Sequence, residues 1–245
     1  MNNFVEAFKF IGRDGEIPGS PHLPSLLHLT IETLKVSAIG VGISAAIAIP
    51  LGVWLGHIHK GSFLAINIGN LGRALPSLVV LAIGDAFLGL GLTVVELALV
   101  ILAVPPIITN AYLAVDGVDR EVVDAARGVG MSEWEIVRKI ELPLSTALTF
   151  AGVRTAALFV VSTTTISALA GFSGSLGDVI ADEGSYHLYG VLGAAICVAA
   201  LALAVEGALA MVQRALTPRG LRMAERAQGE GAGAGSLGEA VTASG

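Results

Sequence analysis

Charge is scarce in this chain, and cysteine is almost absent. Of the 245 residues, 14% are charged and 54% hydrophobic, against about 25% and about 45–50% in an ordinary soluble domain. The single cysteine, Cys197, excludes an intrachain disulfide and a cysteine-based metal site. No GxxxxGK(S/T) phosphate loop occurs, so we do not expect this chain to hydrolyse ATP. The first 24 residues lack the basic start and short apolar core of a signal peptide.

Long apolar runs fill most of the sequence. A helix of about 20 apolar residues crosses a hydrocarbon layer of about 30 Å, so the runs predict an all-α, polytopic membrane bundle. Their continuity excludes a membrane β-barrel, in which apolar and polar residues alternate. We place five spans, at 28–56, 63–87, 92–116, 147–171 and 188–212. Because the second contains Arg73 and Pro76, residues 61–73 form either a surface helix before a shorter span or the start of a kinked span.

The predicted organisation has three parts. Residues 1–24 form an extracytoplasmic segment, 25–216 form the membrane domain, and 217–245 form a cytoplasmic tail whose Gly, Ala, Ser and Glu content predicts disorder. Five spans place the loop at Lys60, the polar loop of about 117–146 and the C-terminus on one side. That side holds nine of the 14 basic residues: Lys60, Arg120, Arg127, Arg138, Lys139, Arg214, Arg219, Arg222 and Arg226. It is therefore predicted to be cytoplasmic.

The polar loop has the signals of two short helices. Acidic residues within 119–124 suit the start of the first helix, and Gly130 permits a left-handed turn after it. Ser132 and Glu135 form a capping box for the second helix, which Pro143 is predicted to stop. Connections between bundled helices usually run about 2–8 residues, so a folded loop of this length predicts a docking surface.

A motif in this loop resembles that of a known family. Asp124-Ala125-Ala126, Gly130 and Ile140-x-Leu142-Pro143 resemble the EAA loop of permease subunits of bacterial type I ABC importers, with Asp124 where the family usually has Glu. The resemblance implies that these seven residues belong to a coupling helix that inserts into a groove of a separate ATPase. The small side chains of Ala125 and Ala126 are expected to let the ATPase surface approach closely.

Softer motifs resemble the osmoprotectant branch of that family, whose substrates are glycine betaine, carnitine, choline and proline betaine. They are Arg73 to Leu78, Pro105-Pro106 with Asn110 and Tyr112, Gly152 to Ala156, and Gly171 to Gly177. The resemblance implies the MetI-like architecture of type I importer permeases and a non-catalytic subunit that forms half of a translocation path. Alternating access would be driven by the partner ATPase.

The resemblance also implies the partners and the location. We expect two ATP-binding subunits, a second permease that is identical or homologous, and an extracytoplasmic substrate-binding protein. The chain would be a multi-pass protein of the plasma membrane, with its N-terminus outside and its C-terminus in the cytoplasm. ATP and Mg would bind the ATPase, and we expect no cofactor, metal or nucleic acid on this chain. Because aromatic residues are scattered and quaternary ammonium sites use aromatic cages, high-affinity selection is assigned to the binding protein.

Polar residues inside the spans have two interpretations each. Candidates for the lining of a translocation path are Thr109, Asn110, Ser162, Thr163, Thr164 and Thr165. The alternative is that these groups bond back to their own helix or to a neighbour. Arg73 and Arg154 either pair structurally or contribute to gating. Gly52 and Gly56 allow close packing, against a partner helix or within the chain.

Other function classes have less support in the sequence. His57 and His59, next to Lys60, are interpreted as a solvated basic interface because a metal pair would need further ligands. A stand-alone secondary transporter or channel would need coupling ions and typically an internal repeat, and we find no convincing repeat. An importer permease for another small substrate, such as amino acids, remains an alternative. A membrane enzyme would need a convergent set of acid, base or metal ligands.

Overall fold

The structure, a computed structural model, describes residues 2–17 and 24–217, without the side chains of Asn2, 64–66, Leu71 and Arg73. Every regular element in those ranges is helical. The helices are α1 (Asn2–Gly12), α2 (Leu26–His57), α3 (Ser62–Ala74), α4 (Ser77–Leu88), α5 (Leu92–Asp116), α6 (Arg120–Gly128), α7 (Glu133–Ile136), α8 (Leu142–Ile166), α9 (Leu176–Ala181) and α10 (Glu183–Leu216). A π-helical turn, Val137–Glu141, precedes α8, and a 3-10 turn, Ser167–Ala170, follows it. Of the predicted disordered tail, only Thr217 lies within the described residues.

Four described helices are long and apolar enough to cross a membrane. They are α2, α5, α10 and the continuous helix Glu133–Ala170 that contains α8. They coincide with the predicted first, third, fifth and fourth spans, and α5 has the predicted bounds. The prediction of an all-α membrane bundle is confirmed.

The centre of the bundle is α5. Both α2 and α8 pack along it, as do α3 and α4. Leu99, Ala103 and Ile107 of α5 have no exposed surface. Small buried residues such as Ala103 and Ala111 let neighbouring helices approach, which membrane helices require because apolar burial does not drive their association in lipid.

The predicted second span is broken at Pro76, which is the N-cap of α4 and cannot donate a helical hydrogen bond. On α3, Gly69 lies beside Thr109 of α5. On α4, Gly84 lies beside Val94, near the start of α5. The two short helices therefore follow α5 in the opposite direction along most of its length, and together they take the place of one span.

The contact between α2 and α5 depends on glycine. A Cβ added to Gly52 would lie 2.7 Å from the Cβ of Ala111 and 2.8 Å from the carbonyl oxygen of Ile108. A Cβ on Gly56 would lie 2.8 Å from the Cβ of Val115. The glycine pair was predicted to pack either against a partner helix or within the chain, and in the structure it packs within the chain, against α5.

Two peripheral helices complete the bundle. α10 packs against α8, and α1 packs against α10. The side chain of Phe10 on α1 is buried beside Gly193 of α10, where it also meets Tyr186 and Tyr189 edge to face. The polarity of residues 1–24 did not predict this docked helix.

The loops lie at two opposite ends of α2. Near its start, the Oγ1 of Thr33 accepts a hydrogen bond from the backbone N–H of Leu176, in the segment after α8. At its last residue, the Nδ1 of His57 lies 2.9 Å from Glu141, at the junction of the polar loop with α8. The polar loop and the segment 171–182 are therefore on opposite sides of the bundle.

Candidate functional site

The first helix of the polar loop, α6, begins as predicted. Asp119 is its N-cap, and its carboxylate accepts a hydrogen bond from the N–H of Glu121 at 2.9 Å. After α6, Gly130 has a φ of +89°, in the left-handed region that a side chain disfavours. The chain therefore reverses at a residue suited to the turn.

The second helix begins with the predicted capping box. The Ser132 hydroxyl accepts from the N–H of Glu135, and the Glu135 carboxylate accepts from the N–H of Ser132 at 3.1 Å. Glu135 also accepts from Lys139 at 2.8 Å. These contacts fix the start of the helix that leads into the membrane.

The prediction that Pro143 stops this helix is wrong. α7 continues through the π-helical turn into α8, and Pro143 lies in the first turn of α8. In the wider turn, the N–H of Leu142 donates to the carbonyl of Val137, five residues earlier. The wider turn changes the hydrogen-bond register directly before Pro143, which has no N–H to donate, so the proline is accommodated without ending the helix. The second loop helix and the fourth span are thus one continuous rod.

The loop has its own small hydrophobic core. Val118, Val123, Ala126 and Ile136 are buried together, with Ile140 packed against them. Ala126 is 7% exposed, so of the two alanines of the motif only Ala125 is accessible to a partner. Ala126 instead contacts the residues that hold the two helices together.

The outer surface of the loop presents an ion-pair chain. Asp124 and Ala125 are exposed. The Nη1 of Arg127 donates to Asp124 at 3.1 Å, and its Nε and Nη2 donate to both oxygens of Glu133 at 2.9 and 3.0 Å. Hydrogen bonding to Glu133 raises the pKa of Arg127 above its ordinary value. This two-point contact ties α6 to α7.

Apolar side chains on this surface were missed from the sequence. Val122 in α6 and Val129 at its C-cap are 42% and 81% exposed, although they belong to the most polar segment of the chain. Trp134, which is 69% exposed, lies elsewhere and lines a pocket beside Trp54 of α2. Exposed apolar groups ringed by charge are typical of a protein interaction site. A polar segment such as this one is ordinarily expected to present polar side chains to solvent.

The remaining motif residues lie where the loop meets the membrane helices. Ile140, Leu142 and Pro143 are half-buried. They line the side of α2 or the loop core and do not form part of the exposed face that Asp124 and Ala125 share. The structure therefore divides the motif into an exposed part and a part that shapes the junction.

The candidate path residues are distributed over different faces. Thr164 and Thr165 donate back to the carbonyls of Val160 and Val161, and the amide of Asn110 donates to the carbonyl of Pro106 at 2.7 Å. Thr109 and Thr163 are buried between helices. Ser162 alone in this set is exposed, on a face of α8 that no described helix covers. A role of these six residues in a path stays a prediction.

Arg154 has a structural pair within the bundle. Its guanidinium binds the carboxylate of Glu206 on α10, and its Nη1 donates to the side-chain oxygen of Gln213 at 2.8 Å. Gln213 in turn donates to the carbonyl of Ala147 at 3.1 Å. This polar network attaches α10 to α8. The side chain of Arg73 lies outside the described residues.

Of the predicted solvated interface, His59 and Lys60 are exposed, but His57 is mostly buried. The side chain of His57 is 14% exposed and lies between two carboxylates, Glu141 at 2.9 Å and Glu133 at 3.3 Å. His59 pairs with Asp116 at the end of α5, at 2.8 Å. The neighbouring acidic residues come from distant parts of the chain, so spacing alone did not indicate them. Among the described residues, no group of three or more His, Cys, Asp or Glu side chains is arranged to hold a metal ion.

The segment after α8 is also ordered by polar contacts. Gly174 has a φ of +110°, and its N–H donates to the carboxylate of Asp178 at 2.6 Å. Burial raises the pKa of Asp178, against the opposing effect of the N–H groups of Gly174 and Ser175. This segment is therefore a shaped surface at the end of the bundle opposite the polar loop.

Comparison with known proteins agrees with this geometry. The family model described as "Binding-protein-dependent transport system inner membrane component" matches residues 48–218, which include the polar loop. Glycine betaine/carnitine/choline transport system permease protein OpuCB of Bacillus subtilis is 35% identical over 198 residues, covering 80% of this chain and 91% of that protein. Carnitine transport permease protein OpuCB of Listeria monocytogenes is 36% identical over 203 residues, covering 82% and 92%.

More distant relatives match a similar share of this chain. Osmoprotectant import permease protein OsmW of Salmonella typhimurium is 27% identical, covering 80% of this chain and 94% of its own. Among solved structures, an inward-facing MetNI methionine ABC transporter matches 79% of this chain and 96% of its own chain, with a TM-score of 0.67 and 22% identity. The similarity to the methionine transporter structure is a similarity of fold.

Proposed function

Because this chain belongs to the family of binding-protein-dependent transport system inner membrane components, we propose that it is the membrane-spanning permease of an ATP-driven importer for osmoprotectants. The observation that carries the proposal is the folded polar loop, in which the motif residues Asp124 and Ala125 are exposed on α6, as are the apolar side chains of Val122 and Val129 at the same helix. The substrate class is taken from relatives that are named for glycine betaine, carnitine and choline.

The proposed task divides between this chain and its partners. A separate ATPase supplies ATP and Mg binding, and an extracytoplasmic binding protein selects the solute. Two permeases, identical or homologous, enclose the path, and each docks one ATPase subunit through its polar loop. Closure of the ATPase pair moves both loops, opens the path outward to receive solute, and hydrolysis returns it inward. The N-terminus and the segment 171–182 lie outside, with the polar loop in the cytoplasm.

The rigid geometry of the loop suits that transmission. α7, the π-helical turn and α8 form one continuous helix from Glu133 to Ala170, so a force on the loop acts directly on a spanning helix. Motion of α8 would also be transmitted to the central helix α5, because the two helices pack together. No residue of this chain is assigned to the making or breaking of a covalent bond.

Uptake by purified protein tests the substrate. The chain, co-expressed with its ATPase and binding protein, would be reconstituted in proteoliposomes and offered labelled glycine betaine, carnitine, choline or methionine. We expect uptake of at least one of the first three that requires ATP and the binding protein. Uptake without ATP would indicate a secondary transporter or channel, and uptake of methionine alone would indicate an amino acid importer.

Docking of the ATPase is tested separately. Ala125→Trp places a large side chain on the exposed face of the loop, and Ala181→Trp makes the same change at an exposed helix end on the opposite side of the bundle. We expect the first variant to lose the ATPase on purification in mild detergent and the second to retain it. Equal recovery of the ATPase with both variants would contradict docking at this loop.

A further inference from the structure

His57 occupies an unusual position between the polar loop and the membrane helices. It is the last residue of α2, and its ring separates two carboxylates that belong to other elements. The Nδ1 atom lies 3.0 and 2.9 Å from the two oxygens of Glu141. The Nε2 atom lies 3.3 Å from Glu133, on the other side of the ring. A single side chain therefore contacts both ends of the segment that joins the loop to α8.

The two carboxylates beside His57 differ in burial. The side chain of Glu141 is 1% exposed and that of Glu133 is 57% exposed. A buried carboxylate is disfavoured unless hydrogen bonds satisfy its oxygens, and the Nδ1 atom of His57 lies within hydrogen-bond distance of both oxygens of Glu141. His57 therefore links the buried end of this segment to its exposed end.

The contacts continue to the exposed motif. Glu133 is held at two points by Arg127, and Arg127 also binds Asp124, whose side chain is 72% exposed. An unbroken series of polar contacts thus runs from Asp124 through Arg127, Glu133 and His57 to Glu141. It begins at the docking face of the loop and ends where α2 meets the π-helical turn before α8.

We propose that His57 is a positioning residue for energy coupling, which fastens the polar loop to the end of α2 so that displacement of the loop by the ATPase moves α2 together with α8. This inference rests on the proposed function and adds to it a second route of transmission. The covalent helix carries motion from the loop to α8, and the His57 contacts carry it to α2. Both helices pack against α5 and against each other, so both routes act on the same packed group of helices.

His59 provides a matched control. It lies two residues beyond His57 and pairs with Asp116 of α5 at 2.8 Å, but among the described residues it forms no hydrogen bond or ion pair with the polar loop. His57→Gln and His59→Gln therefore make the same chemical change. Only the first alters the polar contacts between the loop and α2, because the single donor nitrogen of an amide cannot occupy the positions of both Nδ1 and Nε2.

The test measures transport and ATP hydrolysis in the same proteoliposomes, with the complete complex and labelled glycine betaine, carnitine or choline. We expect His57→Gln to keep its ATPase subunits and to hydrolyse ATP, but to import about tenfold less solute per ATP, the factor for one lost charge-assisted hydrogen bond. His59→Gln should keep the wild-type ratio. An unchanged ratio in His57→Gln, or an equal fall in His59→Gln, overturns the proposal.

A second variant separates positioning from stability. His57→Gln removes the ring nitrogen that faces the buried Glu141, whereas His57→Gln with Glu141→Gln also replaces that carboxyl group by a neutral amide. We expect the double variant to recover the thermal stability of the wild type but not its solute-to-ATP ratio. Recovery of both would show a purely structural role for His57 and overturn the proposal. Absence of ATP-driven uptake by the wild type would instead refute the proposed function, independently of His57.

Discussion

Replacing Gly52 by alanine should force α2 away from α5. The new Cβ would lie 2.7 Å from the Cβ of Ala111 and 2.8 Å from the carbonyl oxygen of Ile108, whereas carbon atoms in good contact are about 3.5–4.0 Å apart. The helices would have to separate by about 1 Å, since neither neighbour is the end of a flexible side chain. Such overpacking costs about 1–3 kcal/mol, while alanine in place of glycine favours a helix by about 0.5–1 kcal/mol. We expect a net destabilisation of about 1–2 kcal/mol.

Gly42 of the same helix is the control, because nothing lies within 4 Å of the Cβ that alanine would add there. Each variant would be heated in detergent, and the fraction that remains monodisperse would be measured by size-exclusion chromatography. Gly52→Ala should lower the midpoint, and Gly42→Ala should leave it unchanged or raise it. A midpoint for Gly52→Ala equal to or above that of Gly42→Ala would refute close helix packing as the reason for this glycine.

Three further changes have directional outcomes, two of them measurable by the same thermal assay and one by hydrogen exchange. Arg154→Met should destabilise the protein by about 2–3 kcal/mol because it leaves the Glu206 carboxylate inside the bundle without its cation, and adding Glu206→Met should restore most of the loss. Gly130→Ala should cost about 1–2 kcal/mol through its positive φ, as judged by hydrogen exchange of the loop amides, whereas Gly128→Ala, in a helix with open space around it, should not. Burial raises the pKa of Asp178 in the folded protein. The protonated Asp178 therefore contributes stability below its unfolded-state pKa, and this contribution is lost as the pH rises through its folded-state pKa. Asp178→Asn should remove this pH dependence, and an unfolding midpoint that depends equally on pH in both proteins would contradict the reasoning.

The predicted spans were most accurate where the apolar run was continuous and capped. α5 has the predicted bounds because Gly91 and Gly117 flank an apolar run that holds no charged residue other than Glu96 before Asp116. The break at Pro76 was foreseen as one of two alternatives, since proline removes a helical donor wherever it lies. The prediction that Pro143 stops the helix was wrong because a π-helical turn directly before the proline lets the helix continue through it.

The loop motif shows the same division. The capping box of Ser132 and Glu135 follows from local hydrogen bonding and was correctly predicted. The burial of Ala126 was not predicted. Ala125 and Ala126 are the same residue type, and only the packing of α6 on Ile136 decides which of them faces the loop core. The role of His57 was hidden for a similar reason, since its partners Glu133 and Glu141 lie more than seventy positions later in the chain.

The sequence by itself determined that this chain is a bundle of membrane helices and where most of them begin and end. It also determined that a capped helical loop interrupts them, because hydropathy, capping and turn preferences act over a few neighbouring residues. The tertiary structure alone decided which glycines meet α5, which loop alanine is exposed, and which carboxylates surround His57. Those outcomes depend on the packing of segments far apart in the chain, and no local pattern fixes the relative positions of such segments.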